Sequence, residues 1–571
     1  MSINRTKLLK TSIIIVILGL ISFLNILPLL NFNFATSYMG DDFFFHVQRV
    51  LALGNIFKSP VNFDVFAHTA TMANIFYSWE TVYPLYLIYH TTGDFIFSYK
   101  LFYFLITFLT AILAYWCLFK ISNNTFSSFC FAALYVFSFY RSTNFFVRSA
   151  LGEAVSMTFL PLVLLGLYYI LFDDYNKWRS LSVGMTLITY SHTLSLFMTS
   201  ILIVVGFMVS LGFLDQRKAR IKSLFTAGFW TVILCSPYLF LVINTSLNNK
   251  LYLNWQPALH GLPLTDWLMN SLGNRMYPNL NVRSSLGASV VIAGVLALML
   301  FIIVKRSRTA FSTFCLWGGL GIMLISTSLF PWFLTNNTIF GRIQFVWRLN
   351  AYISLLLLAS FSLILGIVIR KNVLLKSVFL LALIAGLTIG NTTALATFTA
   401  AKAEKTPREG TLVKNVKNIF YGDYTPEQVQ SKKNLQQILQ KQFFLNAQQI
   451  NPVYHFTDND FTVQVDNSTQ SHARLTIPVF WYASQVVTVN QKPVHSKISK
   501  TGATLVTIPK GSSVISVSYQ YPKSVVVFIV IACFGLAAIF MPLIFRNTGS
   551  AKVTKTDYPS HDVQSVSWFL R

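Results

Sequence analysis

Four short runs of this chain bring carboxylates, imidazoles and guanidiniums into otherwise apolar surroundings. The first is Tyr38-Met-Gly-Asp-Asp-Phe-Phe-Phe-His-Val-Gln-Arg-Val. If residues 42–57 form a helix at a membrane interface, Asp42, His46 and Arg49 share one face, and Phe43, Phe44, Val47 and Val50 cover much of the rest. An acid, an imidazole and a guanidinium side by side can remove a proton and bind an anion. The second run is Arg148-Ser-Ala-Leu-Gly-Glu153, at the start of an apolar stretch. The third is Ser191-His192-Thr193, and the fourth is Gly341-Arg342-Ile-Gln-Phe-Val-Trp-Arg348. Singly, each has a plain structural account: a polar stripe facing water, a snorkelling arginine, or a hydrogen-bonded histidine at a helix tip. As a set they mean more. Arginine forks match phosphate oxygens, and a carboxylate can take the proton of a hydroxyl. A substrate with a phosphate at its head would meet both. The chain has no glycine-rich phosphate loop and no His/Cys cluster at zinc spacing.

The elements that must position these residues are membrane helices. Of 571 residues, 54% are hydrophobic and only 11% charged. The mean hydropathy is +0.56. A soluble domain carries about 25% charged residues. The 52 Phe and 25 Tyr fit lipid-facing spans with aromatic belts at the interfaces. A net charge of +25 would suggest nucleic acid in a soluble protein, but here a basic cytosolic face accounts for it, so no nucleic-acid partner is expected. The five cysteines all fall inside apolar runs, which argues against a disulfide framework. Arg5, Lys7 and Lys10 precede an apolar stretch that lacks a small-residue cleavage site, so it reads as a retained first span.

A span needs about 20 mostly apolar residues. Segments near 11–30, 101–119, 126–140, 154–172, 180–192, 194–213, 223–244, 286–304, 310–329, 349–369, 377–396 and 524–545 give about twelve spans. The pair 180–192 and 194–213 is short for two crossings. With both termini inside, the cytosolic segments hold 20 of the 44 basic residues, nearly all in very short loops. That satisfies the positive-inside rule at every turn. All four polar runs then lie on the outer face of a cell membrane, as do the long segments 31–100, 245–285 and 397–523.

The expected fold is an α-helical polytopic membrane protein with a small exocytoplasmic β-sandwich near the C-terminus. Its parts are a multi-spanning core 1–396, an outer linker with a helix 397–454, the sandwich 455–522, a last membrane helix 523–546 and a cytosolic tail 547–571. The linker helix is placed at 425–449, opened by the N-cap Thr425-Pro-Glu-Gln. Alternating β-branched runs from Phe461, Ala473, Gln485, Ala503 and Val514, with turns such as Asn490-Gln-Lys-Pro, mark the sandwich.

A first span, an acidic outer segment and many short-looped spans resemble the GT-C glycosyltransferases, polytopic enzymes that use polyprenyl-phosphate sugars. The pieces Gly40-Asp41-Asp42, His46, Arg49, Arg148-Ser-Ala-Leu-Gly-Glu153, Phe159-Leu-Pro161-Leu, Ser191-His192 and Gln344-Phe-Val-Trp347-Arg348 are similar to those of YfhO-like bacterial membrane proteins. They are similar too to bacterial membrane proteins labelled "6-pyruvoyl-tetrahydropterin synthase-related"; nothing in the sequence supports pterin chemistry. The resemblance implies a transferase moving a sugar from a polyprenyl-phosphate-linked donor to a cell-surface polymer or lipid acceptor. It gives Asp41 or Asp42 the role of general base. Arg148, Arg348 and either His46 or Arg49 would hold the lipid phosphate, with Glu153, His192 and Arg342 in the same substrate-binding group. No cofactor is implied with certainty, and a divalent cation bridging carboxylate and phosphate stays open. Val346 departs from the family, whose members often have proline there. The rival readings are a transporter or flippase of lipid-linked saccharides, or a non-catalytic cell-envelope assembly protein.

Overall fold

The computed structural model describes residues 5–30, 41–252, 258–276, 285–370, 372–401 and 409–546. Tyr38–Gly40 of the first polar run and the expected tail 547–571 lie outside the described residues.

The chain is mostly helical, at 66%, with a β-sheet region toward its C-terminus. Among the described residues, seven helical stretches are long and apolar enough to cross a membrane: Leu8–Leu30, Phe95–Ser122, Leu151–Phe172, Thr193–Phe213, Arg217–Asn248, Val346–Val368 and Val373–Phe398. Three more apolar helices are shorter, Ala288–Ile303, Ala310–Ile325 and Val525–Met541. These helices make the chain a membrane protein, and the described residues do not establish the count of about twelve spans. The stretch expected at 126–140 is a helix of 12 residues, Thr125–Val136, and that at 180–192 is one of 11, Arg179–Thr189. At 1.5 Å per residue they extend about 16–18 Å, well short of a 30 Å hydrocarbon layer. Apolarity alone did not reveal where each helix would stop.

Side-chain caps set several of these ends. The Asp94 carboxylate accepts from the Phe97 N–H at 2.6 Å and starts the long helix Phe95–Ser122. Asn123, at φ 49°, ends it in the left-handed region, and Asn124 caps the next helix by accepting from Ser127 N–H. Leu151–Phe172 and Val346–Val368 form the centre of the bundle, 89% and 83% buried respectively. A Cβ at Gly166 would come within 2.4 Å of the Leu181 backbone nitrogen, so this glycine lets helices Leu160–Phe172 and Arg179–Thr189 touch backbone to backbone.

Residues 41–94 fold as a compact wedge between bundle and sandwich. Its helix Phe43–Leu51 is buried on most sides and is not an interfacial stripe. Phe43 packs edge-on against Phe95 and Tyr99 of the long helix. On the other side, Gln48 Nε2 donates to Ile419 O, and Asn55 Nδ2 donates to Asp458 O at the sandwich. A left-handed turn, Phe66–His68, is pinned by three contacts: Phe66 N–H to Gln48 Oε1, Lys441 Nζ to His68 O, and Phe480 N–H to Thr69 O.

The sandwich has two five-stranded antiparallel sheets, β10-β11-β7-β3-β4 and β5-β6-β12-β8-β9. The strands are β3 (Phe443–Leu445), β4 (Gln448–Ile450), β5 (Val453–Phe456), β6 (Asp460–Asn467), β7 (Ala473–Phe480), β8 (Gln485–Val489), β9 (Lys492–Val494), β10 (Lys497–Ile498), β11 (Ala503–Ile508) and β12 (Gly511–Tyr519). A short pair, β1 (Leu251–Tyr252) with β2 (Thr425–Pro426), lies outside them. Alternation puts Phe461, Val463 and Val465 inside with Ile515 and Val517 of the neighbouring strand. The helix expected over 425–449 shrinks to Lys432–Leu439, and the sandwich begins at Phe443 rather than near 455. At its start, Thr425 and Pro426 pair with Tyr252 and Leu251 as a strand and cap no helix; at its end, Asn446 and Ala447 take positive φ, 49° and 71°, and close a two-residue hairpin.

Candidate functional site

Four sequence-distant pieces meet where the wedge enters the bundle. Residues Thr143–Val147 form one π-turn, after which Ser149 takes φ 51°; this irregular backbone turns Arg148 back toward the following helix. Such π-turns recur at functional positions. Glu153 sits in the first turn of helix Leu151–Met157, and Arg348 just ahead of helix Asn350–Val368. His192 is the N-cap of helix Thr193–Ser210, and Asp42 precedes helix Phe43–Leu51. Helix N-termini carry partial positive charge, so they add to the attraction of any anion held among them.

Glu153 is the hub. Arg148 Nη1 lies 2.9 Å from Glu153 Oε2, Arg348 Nε lies 3.4 Å from the same oxygen, and the Tyr140 hydroxyl donates to Oε1. The side chains are 7%, 9% and 5% exposed for Arg148, Arg348 and Glu153. Arg148 Nη1 also donates to Asn144 Oδ1 at 2.7 Å, and Arg348 Nη1 to Gln344 Oε1 at 2.9 Å. Arg348 Nε completes no hydrogen bond despite its burial. Two guanidiniums thus share one fully engaged carboxylate, an excess of one positive charge before Asp42 is counted.

Asp42 completes the group. Its N–H donates to Arg148 O at 2.8 Å, and its carboxyl lies in the field of Arg148, Arg348 and Glu153. Burial raises its pKa above the ordinary carboxylate range; Asp41 and Glu153 add to this, while the two arginines oppose it. Asp41, by contrast, is exposed, with its N–H on Val147 O.

His192 Nδ1 accepts from Ser195 N–H and lies 2.8 Å from Ser195 Oγ, so the neutral ring carries its proton on Nε2. Among the described residues Nε2 has no hydrogen-bond partner. The Tyr77 ring joins the two histidines, with centroids 5.3 Å from both His46 and His192.

His46 and Arg49, grouped with the phosphate-holding residues by resemblance, are absorbed by the fold. Arg49 is fully buried. It donates through Nε to Asn74 Oδ1 and through Nη2 to Tyr77 O and Ser78 O, and its guanidinium lies 4.0 Å over the Tyr77 ring. His46 Nε2 faces the Leu151 N–H at 3.2 Å and Nδ1 faces Arg49 Nη1 at 3.1 Å. Burial and then the Arg49 charge hold its pKa well below the usual histidine value, so the ring is neutral and accepts from only one of them. Arg342 is exposed and makes none of these contacts.

Four further residues belong to the site: Tyr140, Asn144, Gln344 and Tyr77. Tyr140, Asn144 and Arg148 are spaced by four in the sequence, a helical signal that could have grouped them. Tyr77 carries no such signal, because only the tertiary fold brings it to Gly152. Among the described residues, no three His, Cys, Asp or Glu side chains converge so as to hold a metal ion.

Compared with known proteins, the chain matches no protein-family model and no curated protein sequence.

Proposed function

We propose that the chain is a membrane glycosyltransferase of GT-C type, moving a sugar from a polyprenyl-phosphate donor to a cell-surface polymer or lipid. The observation that carries this reading is the pair of buried arginines on Glu153 with Asp42 beside them. The basic short loops favour placing this cluster on the outer face, with both termini cytosolic. A lipid phosphate would meet Arg148, Arg348 and the Nε2–H of His192. Asp42 takes the proton of the acceptor hydroxyl, whose oxygen attacks the anomeric carbon. The bond from that carbon to the phosphate oxygen breaks, its electron pair stays on the phosphate, and the arginines meet the growing charge. Asp41, which is exposed, is the weaker choice of base.

A second reading, a transporter or flippase of lipid-linked saccharides, is favoured by one feature. Arg141 is wholly buried and donates to Thr107 Oγ1, near the middle of helix Phe95–Ser122. An ionisable group at such depth commonly marks a translocation path.

Reconstituted protein given a labelled polyprenyl-phosphate sugar and a surface-polymer acceptor separates the readings. Release of polyprenyl phosphate with label on the acceptor supports transfer, and movement of intact donor between leaflets supports translocation. Full activity in Asp41→Asn, Asp42→Asn and the double variant overturns the proposed base.

A further inference from the structure

A cleft of about 410 Å³ opens between the end of helix Arg217–Asn248, the wedge and the sandwich. That size falls within the range of small-ligand pockets, about 300–1,000 Å³. The cleft is separate from the arginine cluster. Tyr238, whose hydroxyl donates to Phe76 O beside Tyr77, marks the level of that cluster on the same helix. Asn244 to Asn248 lie about 9–15 Å farther along it, at 1.5 Å per residue.

The lining chemistry is specific. None of the residues around the cleft is charged. Its polar groups are amides and hydroxyls, including Asn244, Thr245, Asn248, Ser484 and Gln520, beside the ring of Tyr521. Much of their hydrogen-bonding capacity is unspent. Ser484 Oγ is buried without a partner. Among the described residues, Asn244 Nδ2, Thr245 Oγ1 and the Gln520 amide also make no hydrogen bond. The frame itself is fixed, because Asn249 Oδ1 accepts from Ala483 N–H and Tyr521 OH donates to Ile56 O, tying helix, sandwich and wedge together.

A charged headgroup would find no counter-charge here, and a purely apolar ligand would leave amides and hydroxyls dry and unpaired. An uncharged saccharide suits both halves of the lining. Its hydroxyls donate and accept as amides do, and the C–H faces of its rings can lie on Met72, Ile75 and Leu241. We infer that this cleft is a binding site for an uncharged saccharide, presented free or as the head of a membrane glycolipid. The inference does not rest on sugar transfer at the arginine cluster.

The test uses the full chain in nanodiscs. Fluorescent hexasaccharides of glucose, mannose, galactose and N-acetylglucosamine are titrated in one arm, and diglucosyl diacylglycerol is incorporated in the nanodisc in the other. Saturable binding in either arm is expected, and the arm that responds identifies the source. Ala483→Trp at the exposed rim, and separately Asn244→Leu with Gln520→Leu, should weaken it at least tenfold while thermal unfolding stays unchanged. Absence of binding in both arms overturns the inference. So does binding that neither set of substitutions weakens.

Discussion

Arg148 and Arg348 converge on the same oxygen of Glu153, at 2.9 and 3.4 Å, although 200 residues separate them in the chain. One comes from the end of a π-turn and the other from the start of a central helix, so the carboxylate clasps two parts of the bundle. Taking charges out of water is costly, and removing one partner of a buried pair typically destabilises by about 3–5 kcal/mol. Glu153→Gln should therefore lower the unfolding temperature in detergent sharply. Adding Arg148→Gln should recover part of the loss, because the uncompensated charge is gone. An unchanged unfolding temperature in the single variant would remove Glu153 from this role.

Asp42 should give the reaction its pH dependence. Burial raises its pKa above the usual carboxylate range, so the basic form becomes populated only as pH rises past that higher value. The transfer rate should climb with pH through the shifted value and then level off. Asp42→Asn should lose about 10²–10⁴-fold in rate, the usual worth of a positioned base, and its residual rate should not follow that rise. The linkage to stability runs the other way. A carboxyl whose folded pKa is raised contributes stability below its unfolded pKa, and this is lost as pH rises through the folded value. Unfolding temperatures measured on both proteins over the same pH series should differ in that sense.

The buried arginines should divide by role. Arg49 hydrogen-bonds to the wedge itself, so Arg49→Lys should lower the unfolding temperature and leave the donor KM of the folded fraction unchanged. Arg348 keeps an Nε without a hydrogen bond beside Glu153. Arg348→Lys preserves charge but loses the planar fork, and the donor KM should rise roughly tenfold. Equal effects of the two substitutions on KM would contradict the division.

Part of this arrangement was legible in the sequence and part was not. Arg148, Glu153, His192 and Arg348 were legible because charged and imidazole groups beside long apolar runs are costly and therefore rare. The sandwich was legible from period-two alternation, as in Phe461-Thr-Val-Gln-Val. The fate of Arg49 was not. Its i+7 spacing from Asp42 gives a shared face, but whether that face meets water or the Tyr77 and Ser78 carbonyls depends on how residues 70–80 fold back. Likewise nothing in its apolar composition distinguishes Thr125–Val136, which ends after 12 residues at Phe137, from a full span. Both ends of the helix expected over 425–449 were misplaced: Thr425-Pro426 pairs with Leu251-Tyr252 as a strand instead of opening a helix, and the hairpin at Asn446-Ala447 ends it early, because strand pairing outweighs a local N-cap pattern.

Gly152 separates packing from charge at the site. A Cβ there would lie 2.3 Å from the Tyr77 ring and 2.7 Å from the Ser191 carbonyl oxygen. The ring could tilt, but only by disturbing its contacts with His46, His192 and the Arg49 guanidinium. The Ser191 carbonyl is backbone, so helix Leu151–Met157 would have to move instead, carrying Glu153 with it. Overpacking of this kind costs about 1–3 kcal/mol. Gly152→Ala should therefore fold, with a modestly lower unfolding temperature, yet lose far more activity than that destabilisation explains. Gly152→Ala with Tyr77→Ala relieves the ring clash and should recover stability in part, but the Ser191 contact remains and activity should stay low. Activity returning in step with stability would mean that the position of Glu153 relative to Arg148 and Arg348 is not what the reaction requires.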